Sequence, residues 1–229
     1  MNTRSKTYLE LASKVEAGKI YSPTEALALI VDTSKSKFDG TIELHIRLGI
    51  DPKKGGQQVR GTLTLPHGTG KVKRVAAFVD VDNEKLALDA GADMVGGEEL
   101  ITEIGSSGKI DFDEAVATPQ MMPKLAKIAK ILGPKGIMPS PKSETVGTDV
   151  NAMVKAIKAG KISFKNDDTA NLHLAIGKIS FGNEKLQENF NSAMEIIKKA
   201  KPQTSKGVYI KKVSLSSTMS PSIQVETSN

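Results

Sequence analysis

The side chains that most often do chemistry are scarce in this chain. It has no cysteine, which removes thiolate zinc sites, disulfide frameworks and thiol nucleophiles together. Its three histidines, His45, His67 and His173, are scattered, and none stands four residues from another as a helical metal pair requires. The glycine-rich pieces fail as phosphate cradles. HGTGK (His67 to Lys71) lacks the earlier glycine of a nucleotide-binding loop, and GADMVGGEE (Gly91 to Glu99) carries acids where a lysine and a hydroxyl belong. No G-x-S-x-G elbow occurs. The carboxylates of the middle segment read as solubilising helix faces rather than an acid–base pair. No catalytic residue, metal or cofactor is expected.

Cations accompanied by hydroxyls and flat or soft apolar groups point to a different chemistry. Lys35 and Lys37 precede Phe38 in SKSKFDGT, Lys53 and Lys54 share a loop, and Lys165, Lys178, Lys211 and Lys212 follow later. Near the end, SLSSTMS offers consecutive hydroxyls and a methionine. RNA recognition uses such groups: cations for phosphate, short donors for sugar hydroxyls, and flat or soft side chains for unstacked bases.

Charge is partitioned along the chain. Residues 1–75 carry 13 basic and 7 acidic side chains, residues 76–150 carry 7 and 13, and residues 151–229 carry 12 and 6. The ends are each net +6 and the middle net −6, as expected if an acidic domain is inserted into a basic one built from both termini. No run of about 18 apolar residues occurs, so no membrane partner is expected.

The elements that position these groups follow from periodicity. Ser22-Pro23-Thr24-Glu25 forms a capping box, with ALALIVDTSK continuing the helix. In TIELHIRLGI the residues Ile42, Leu44, Ile46, Leu48 and Ile50 alternate with polar ones, the mark of a strand with one buried face. VRGTLTLP alternates too, and is expected to pair antiparallel with it. From about Val72, short apolar runs (VAAFVDV, ADMVG, EAVAT) alternate with helical stretches, as buried parallel strands alternate with covering helices. After Gly160 the antiparallel pattern returns in KISFK, LHLAIGKISF, VYIKKVSLS and SIQV. A helix is predicted from about Glu184 to Ala200, with a Leu186, Phe190, Met194, Ile197 stripe and Asn183 as its cap. The fold class is therefore α/β (α+β) in two domains, with Gly68, Gly70 and Gly160 as hinge glycines. Residues 1–67 and 160–229 would form one domain, and 68–159 the insertion.

Six ordered blocks carry a resemblance that spans essentially the whole chain: Lys37 to Lys54, Arg60 to Lys71, Ala90 to Asp93, Leu132 to Val146, Gly160 to Phe181, and Ser217 to Ser222. In these blocks the chain resembles the ribosomal protein L-one family of the large-subunit stalk. The resemblance implies a split RNA-binding domain with an antiparallel sheet and an inserted Rossmann-like, three-layer α/β domain. It also implies a cytoplasmic, ribosome-associated protein of bacterial or plastid type, monomeric when free. Its partners would be stalk ribosomal RNA, exit-site tRNA, whose deacylated form it helps release, and its own mRNA, which it represses. Carried over residue by residue, the family's RNA-contacting pattern is similar at Lys37, Phe38, Thr41, Lys165, Asp167, Lys178, Ser180, Ser217, Thr218 and Met219. His173, which the LHLAIG alternation turns away from its apolar neighbours, is either structural or an RNA contact. Three positions depart from the family: Ser220, still expected at the RNA surface, where glycine is usual after the methionine, Gly40 where glutamate is usual, and Asp168 where a basic residue is common. The competing expectation is an α/β enzyme or small-ligand-binding protein with a pocket at the interdomain cleft.

Overall fold

The computed structural model describes residues 4–227. The first part of the chain forms α1 (Lys6–Ser13), α2 (Pro23–Thr33), β1 (Thr41–Leu48) and β2 (Arg60–Thr64). The middle forms β3 (Val75–Phe78), α3 (Val81–Asp89), β4 (Met94–Gly96), α4 (Glu98–Ser107), β5 (Glu114–Ala117), α5 (Met122–Leu125), α6 (Ala129–Leu132) and α7 (Val150–Lys158). The last part forms β6 (Lys161–Lys165), β7 (Asn171–Lys178), α8 (Gly182–Lys199), β8 (Ile210–Ser217) and β9 (Ile223–Val225). Two compact units result. One runs up to Gly70 and resumes at Phe164, and the other is Lys71–Ser163. The boundaries suggested by the glycines fall a few residues earlier at each crossing. Gly68, Gly70 and Gly160 all have positive φ and mark turns of the backbone, whereas the division follows packing.

The first unit is built on an antiparallel sheet of order β7-β1-β8-β9. Strict alternation gives β1 one buried face, Ile42, Leu44, Ile46 and Leu48, continued by Leu172, Leu174 and Ile176 of β7 and Val213 and Leu215 of β8. Helices α2 and α8 pack against this sheet and each other. The capping box of α2 forms, with Ser22 Oγ accepting from the Glu25 amide and the Glu25 carboxylate accepting from the Ser22 amide. Helix α8 buries the predicted stripe of Leu186, Phe190, Met194 and Ile197.

Two expectations fail here. β1 does not pair with β2, because both its edges are taken by β7 and β8, whose apolar residues face its own at Leu44 and Ile46 (Leu174 and Leu172, Leu215 and Val213). β2 pairs instead with β6 in a two-stranded ribbon. Nor does Asn183 cap α8. The end of LHLAIGKISF leaves the strand at Lys178, and Ile179–Phe181 forms a 3₁₀ turn that feeds directly into the helix at Gly182.

The second unit is a three-layer α/β sandwich on a parallel sheet of order β4-β3-β5. β3 is buried on both faces. Ala76 and Phe78 pack with α4 and the α5–α6 segment through Leu100, Ile104, Leu125 and Leu132, while Val75 and Ala77 pack with α3 and α7 through Ala87, Val150 and Val154. That two-sided burial is why its sequence is a continuous apolar run.

Candidate nucleic-acid interface

At one end of the four-stranded sheet the loops α2–β1, β7–α8 and β8–β9 converge, and the sheet register decides it. Thr41 pairs with Lys178, and Ile42 pairs with Ser217. Thr218 then stitches the loops together. Its amide donates to the Thr41 carbonyl (3.1 Å), its Oγ1 accepts from the Thr41 amide (3.1 Å), and its hydroxyl lies 3.3 Å from the same carbonyl. Lys178 Nζ donates to the Asp39 carbonyl (3.2 Å) and Thr41 Oγ1 (3.0 Å). The Ser180 hydroxyl and amide both donate to the Asp39 carboxylate, at 2.7 and 3.1 Å. The hydroxyl bond is the largest influence holding that carboxyl below its ordinary pKa; burial opposes it, and the Ser180 amide and Lys178 add to the lowering.

The β8–β9 turn is closed by Ser220, whose Oγ accepts from the Ser217 amide (2.9 Å) and donates to its carbonyl (3.1 Å). Ser217 Oγ lies 2.8 Å from Ser34 Oγ. The residue forced into the left-handed region is Met219, at φ 69°, whereas Ser220 keeps a negative φ, so serine there costs the backbone nothing. Met219 is 82% exposed and Phe38 61% exposed. Two large apolar side chains thus stand in solvent beside the exposed Lys35 and Lys37. The chain is tight at Gly40, since a Cβ there would lie 2.7 Å from Ile179 Cδ1.

Lys165, Asp167 and His173 do not join this cluster. They lie toward the opposite end of β7, where His173 is five residues, or roughly 16 Å of strand, from Lys178. Burial works to raise the Asp167 pKa, but bonds from the Asn171 amide (2.6 Å), the Thr169 hydroxyl (2.7 Å), the Asn171 side chain and the Thr169 amide overcome it. They hold the carboxyl well below the usual carboxylate range. Asp167 therefore builds a turn with both its oxygens. Lys165 projects from β6 and is exposed. Of the glycines expected as hinges, Gly68 and Gly70 lie at the Lys178 end of the first unit, where a Cβ on Gly70 would meet Lys178 Cγ at 2.6 Å. Gly160 belongs to the second unit.

On the open face of the sheet, His173 and His45 stand directly opposite each other, their Nδ1 atoms 2.8 Å apart, and His45 Nε2 lies 2.8 Å from Ser216 Oγ. Burial, then the neighbouring His173, lowers the His45 pKa, with Glu43 working weakly the other way. Strand alternation put both histidines on the polar face, but only the pairing of β1 with β7 brings them together. Sequence reasoning also missed α1, whose start is signalled by Ser5, the cap of the Tyr8 amide.

The second unit offers a polyanion little. A cavity there of about 890 Å³ is lined by Asp80, Asp82, Glu84, Glu98, Glu99 and Glu103 against the single Lys124. Among the described residues no cluster of histidine and carboxylate could hold a metal.

The model of the ribosomal protein L1p/L10e family matches residues 30–221. The chain belongs to that family. Large ribosomal subunit protein uL1 of a Mycobacterium species (strain KMS) is 52% identical over 99% of this chain and 96% of that relative. The proteins of the same name from Cutibacterium acnes and Streptomyces coelicolor are each 50% identical, over 97% and 99% of this chain and 96% and 94% of their own lengths. The L1p/L10e match extends from within α2 to the β8–β9 turn. It therefore includes the three converging loops, and it leaves α1 outside.

Proposed function

We propose that this protein is a structural, non-catalytic constituent of the large ribosomal subunit that binds stalk ribosomal RNA through the sheet end bearing Phe38, Thr41, Lys178, Thr218 and Met219. The single observation that carries this reading is the convergence of Lys37 to Thr41, Lys178 to Ser180 and Ser217 to Ser220 into one hydrogen-bonded cluster with exposed Phe38 and Met219 at its edge. Fixed hydroxyls, a soft side chain and a flat one beside free cations suit unstacked RNA bases and sugar hydroxyls. The protein works in the cytoplasm on the ribosome, and is monomeric when free.

Two finer roles belong to the same proposal and rest on the family resemblance. Bound at the stalk, the protein helps deacylated tRNA leave the exit site, and free protein represses translation by binding its own mRNA. A filter-binding titration with a stalk RNA fragment tests the core reading: specific, salt-dependent binding is expected, weakened by Phe38→Ala. Binding no tighter than to an unrelated RNA of equal length would refute it.

A further inference from the structure

Beside the converging loops lies a cavity of about 250 Å³ that α1 closes. Leu11 forms its buried floor, Tyr8 of α1 and Phe38 supply aromatic walls, and Thr218 and Met219 complete it from the β8–β9 turn, with Lys35 at the rim. No carboxylate lines it, and the Arg4 guanidinium sits 4.3 Å from the centre of the Tyr8 ring. We propose that this cavity takes a single unpaired nucleobase of the bound RNA, with α1 as a recognition element alongside the three loops. The inference rests on the proposed RNA-binding function and names a subsite within it.

Size, chemistry and rigidity argue for that occupant. The volume is below the roughly 300–1,000 Å³ of sites that enclose a drug-sized ligand, which fits one ring system rather than several. The walls are π-faced or polarizable and the rim is cationic, the combination that stacks a base while attracting its phosphate. Three rim hydroxyls are already committed to holding the walls: Ser5 caps the Tyr8 amide (3.2 Å), Ser36 donates to the Phe38 carbonyl (2.7 Å), and Thr218 bonds Thr41. Met219 is held outward by a backbone conformation that a β-carbon disfavours. The closed β8–β9 turn fixes that conformation and keeps the methionine exposed at the cavity, where a base can pack on it. The Thr7 and Tyr8 hydroxyls have no hydrogen-bond partner among the described residues, so they remain for the base edge.

The test uses the full chain and a stalk RNA fragment carrying 2-aminopurine, then 5-iodouridine, at each unpaired position in turn. At one position 2-aminopurine fluorescence should be quenched on binding, and at that position irradiation should crosslink the base to Tyr8 or Phe38. Tyr8→Ala should weaken binding roughly tenfold, within the range found when a base loses its stacking partner, with the salt slope unchanged. Tyr8→Phe should restore most of the affinity. If Phe38→Ala weakens binding but no position is quenched, no crosslink reaches α1 and Tyr8→Ala binds like the original, the base pocket is wrong while the RNA-binding reading stands. If the unaltered chain does not distinguish stalk RNA from an unrelated RNA, the underlying reading fails first. Because the crosslink uses the unaltered protein, a Tyr8→Ala chain that loses α1 does not obscure the answer.

Discussion

Replacing Thr218 by valine keeps the side chain's volume and removes only its hydroxyl, at the place where the β8–β9 turn is tied to the start of β1. The Thr41 carbonyl keeps the Thr218 amide as a donor at 3.1 Å, so it remains satisfied. The Thr41 amide loses its acceptor at 3.1 Å, and that amide is only part-buried. Water can therefore replace part of the lost bond. The expected cost is about 1 kcal/mol of folding stability, near a typical net hydrogen bond and below the full penalty of a buried orphan donor. The RNA effect should be comparable in size and indirect, since this hydroxyl is already spent on Thr41. A loosened turn lets Met219 and Phe38 wander, and re-ordering them on binding should reduce cognate affinity about five- to tenfold. Non-specific affinity and the salt slope should stay, because no cation is removed. The assay pairs urea unfolding with filter binding to stalk RNA and to an unrelated RNA, using Thr218→Ser as the variant that keeps the hydroxyl. Unchanged stability together with unchanged cognate affinity would refute the reasoning. Equal losses on both RNAs would make Thr218 a folding residue alone.

Further expectations follow from neighbouring groups. Gly70→Ala combines φ 74° with a Cβ placed 2.6 Å from Lys178 Cγ, so it should lower the urea midpoint more than Gly108→Ala, where φ is 65° but nothing lies within 4 Å. Lys37→Met should reduce the slope of log K against log salt by roughly one phosphate's worth, measured by filter binding across a salt series. The lowered His45 pKa means that the unfolded chain takes up the proton first as pH falls. His45-linked stability should be complete above pH 6.5 and lost as pH drops through the folded value, a slope that His45→Gln abolishes in unfolding titrations. Excising Lys71–Ser163 and joining Gly70 to Phe164 through a short glycine turn should leave the four-stranded unit folded and binding stalk RNA within about tenfold of the full chain. Exit-site tRNA release should be lost, and a well-folded excised protein that binds no RNA would place recognition on the other unit.

How much of this was legible in the sequence depended on the range of the interaction. The capping box of Ser22 and Glu25, the buried face of β1 and the stripe of α8 are set within a few residues, and periodicity reads such signals directly. The split, inserted organisation left a trace in the +6, −6, +6 charge pattern, which averages over whole surfaces. Partner choice among strands did not. β1 and β2 both alternate and lie close in the chain, and only the competition from β7 and β8 for both edges of β1 decides against their pairing. The same long-range register is what places Thr41 beside Lys178 and His45 opposite His173. The family resemblance could therefore nominate individual residues for the candidate interface, while their gathering was not legible. Asp167 shows the limit most plainly, since its place in that pattern gave no hint that four bonds from Thr169 and Asn171 already occupy its carboxylate.

That internal commitment bears on how recognition works under the proposed function. Of the polar groups that resemble the family's RNA pattern, Thr41, Asp167, Lys178, Ser180, Ser217 and Thr218 all hold hydrogen bonds within the protein, and so does Ser220, which departs from it. Two of these groups, Ser180 and Lys178, lock the α2–β1 loop through Asp39 and Thr41. What remains pointing outward at that end of the sheet is Phe38, Met219, Lys35 and Lys37. A surface of this kind has its ordering cost met during folding, so little conformational entropy is left to lose on binding. Outside the α1 pocket, where the Thr7 and Tyr8 hydroxyls face a base edge under the inference above, these free groups supply stacking and charge, neither of which reads a base edge directly. Selectivity must come from the shape in which the locked loops present them, and from donors already fixed in place. RNA that is prefolded to the same shape should bind tightly, and flexible RNA of the same sequence should not.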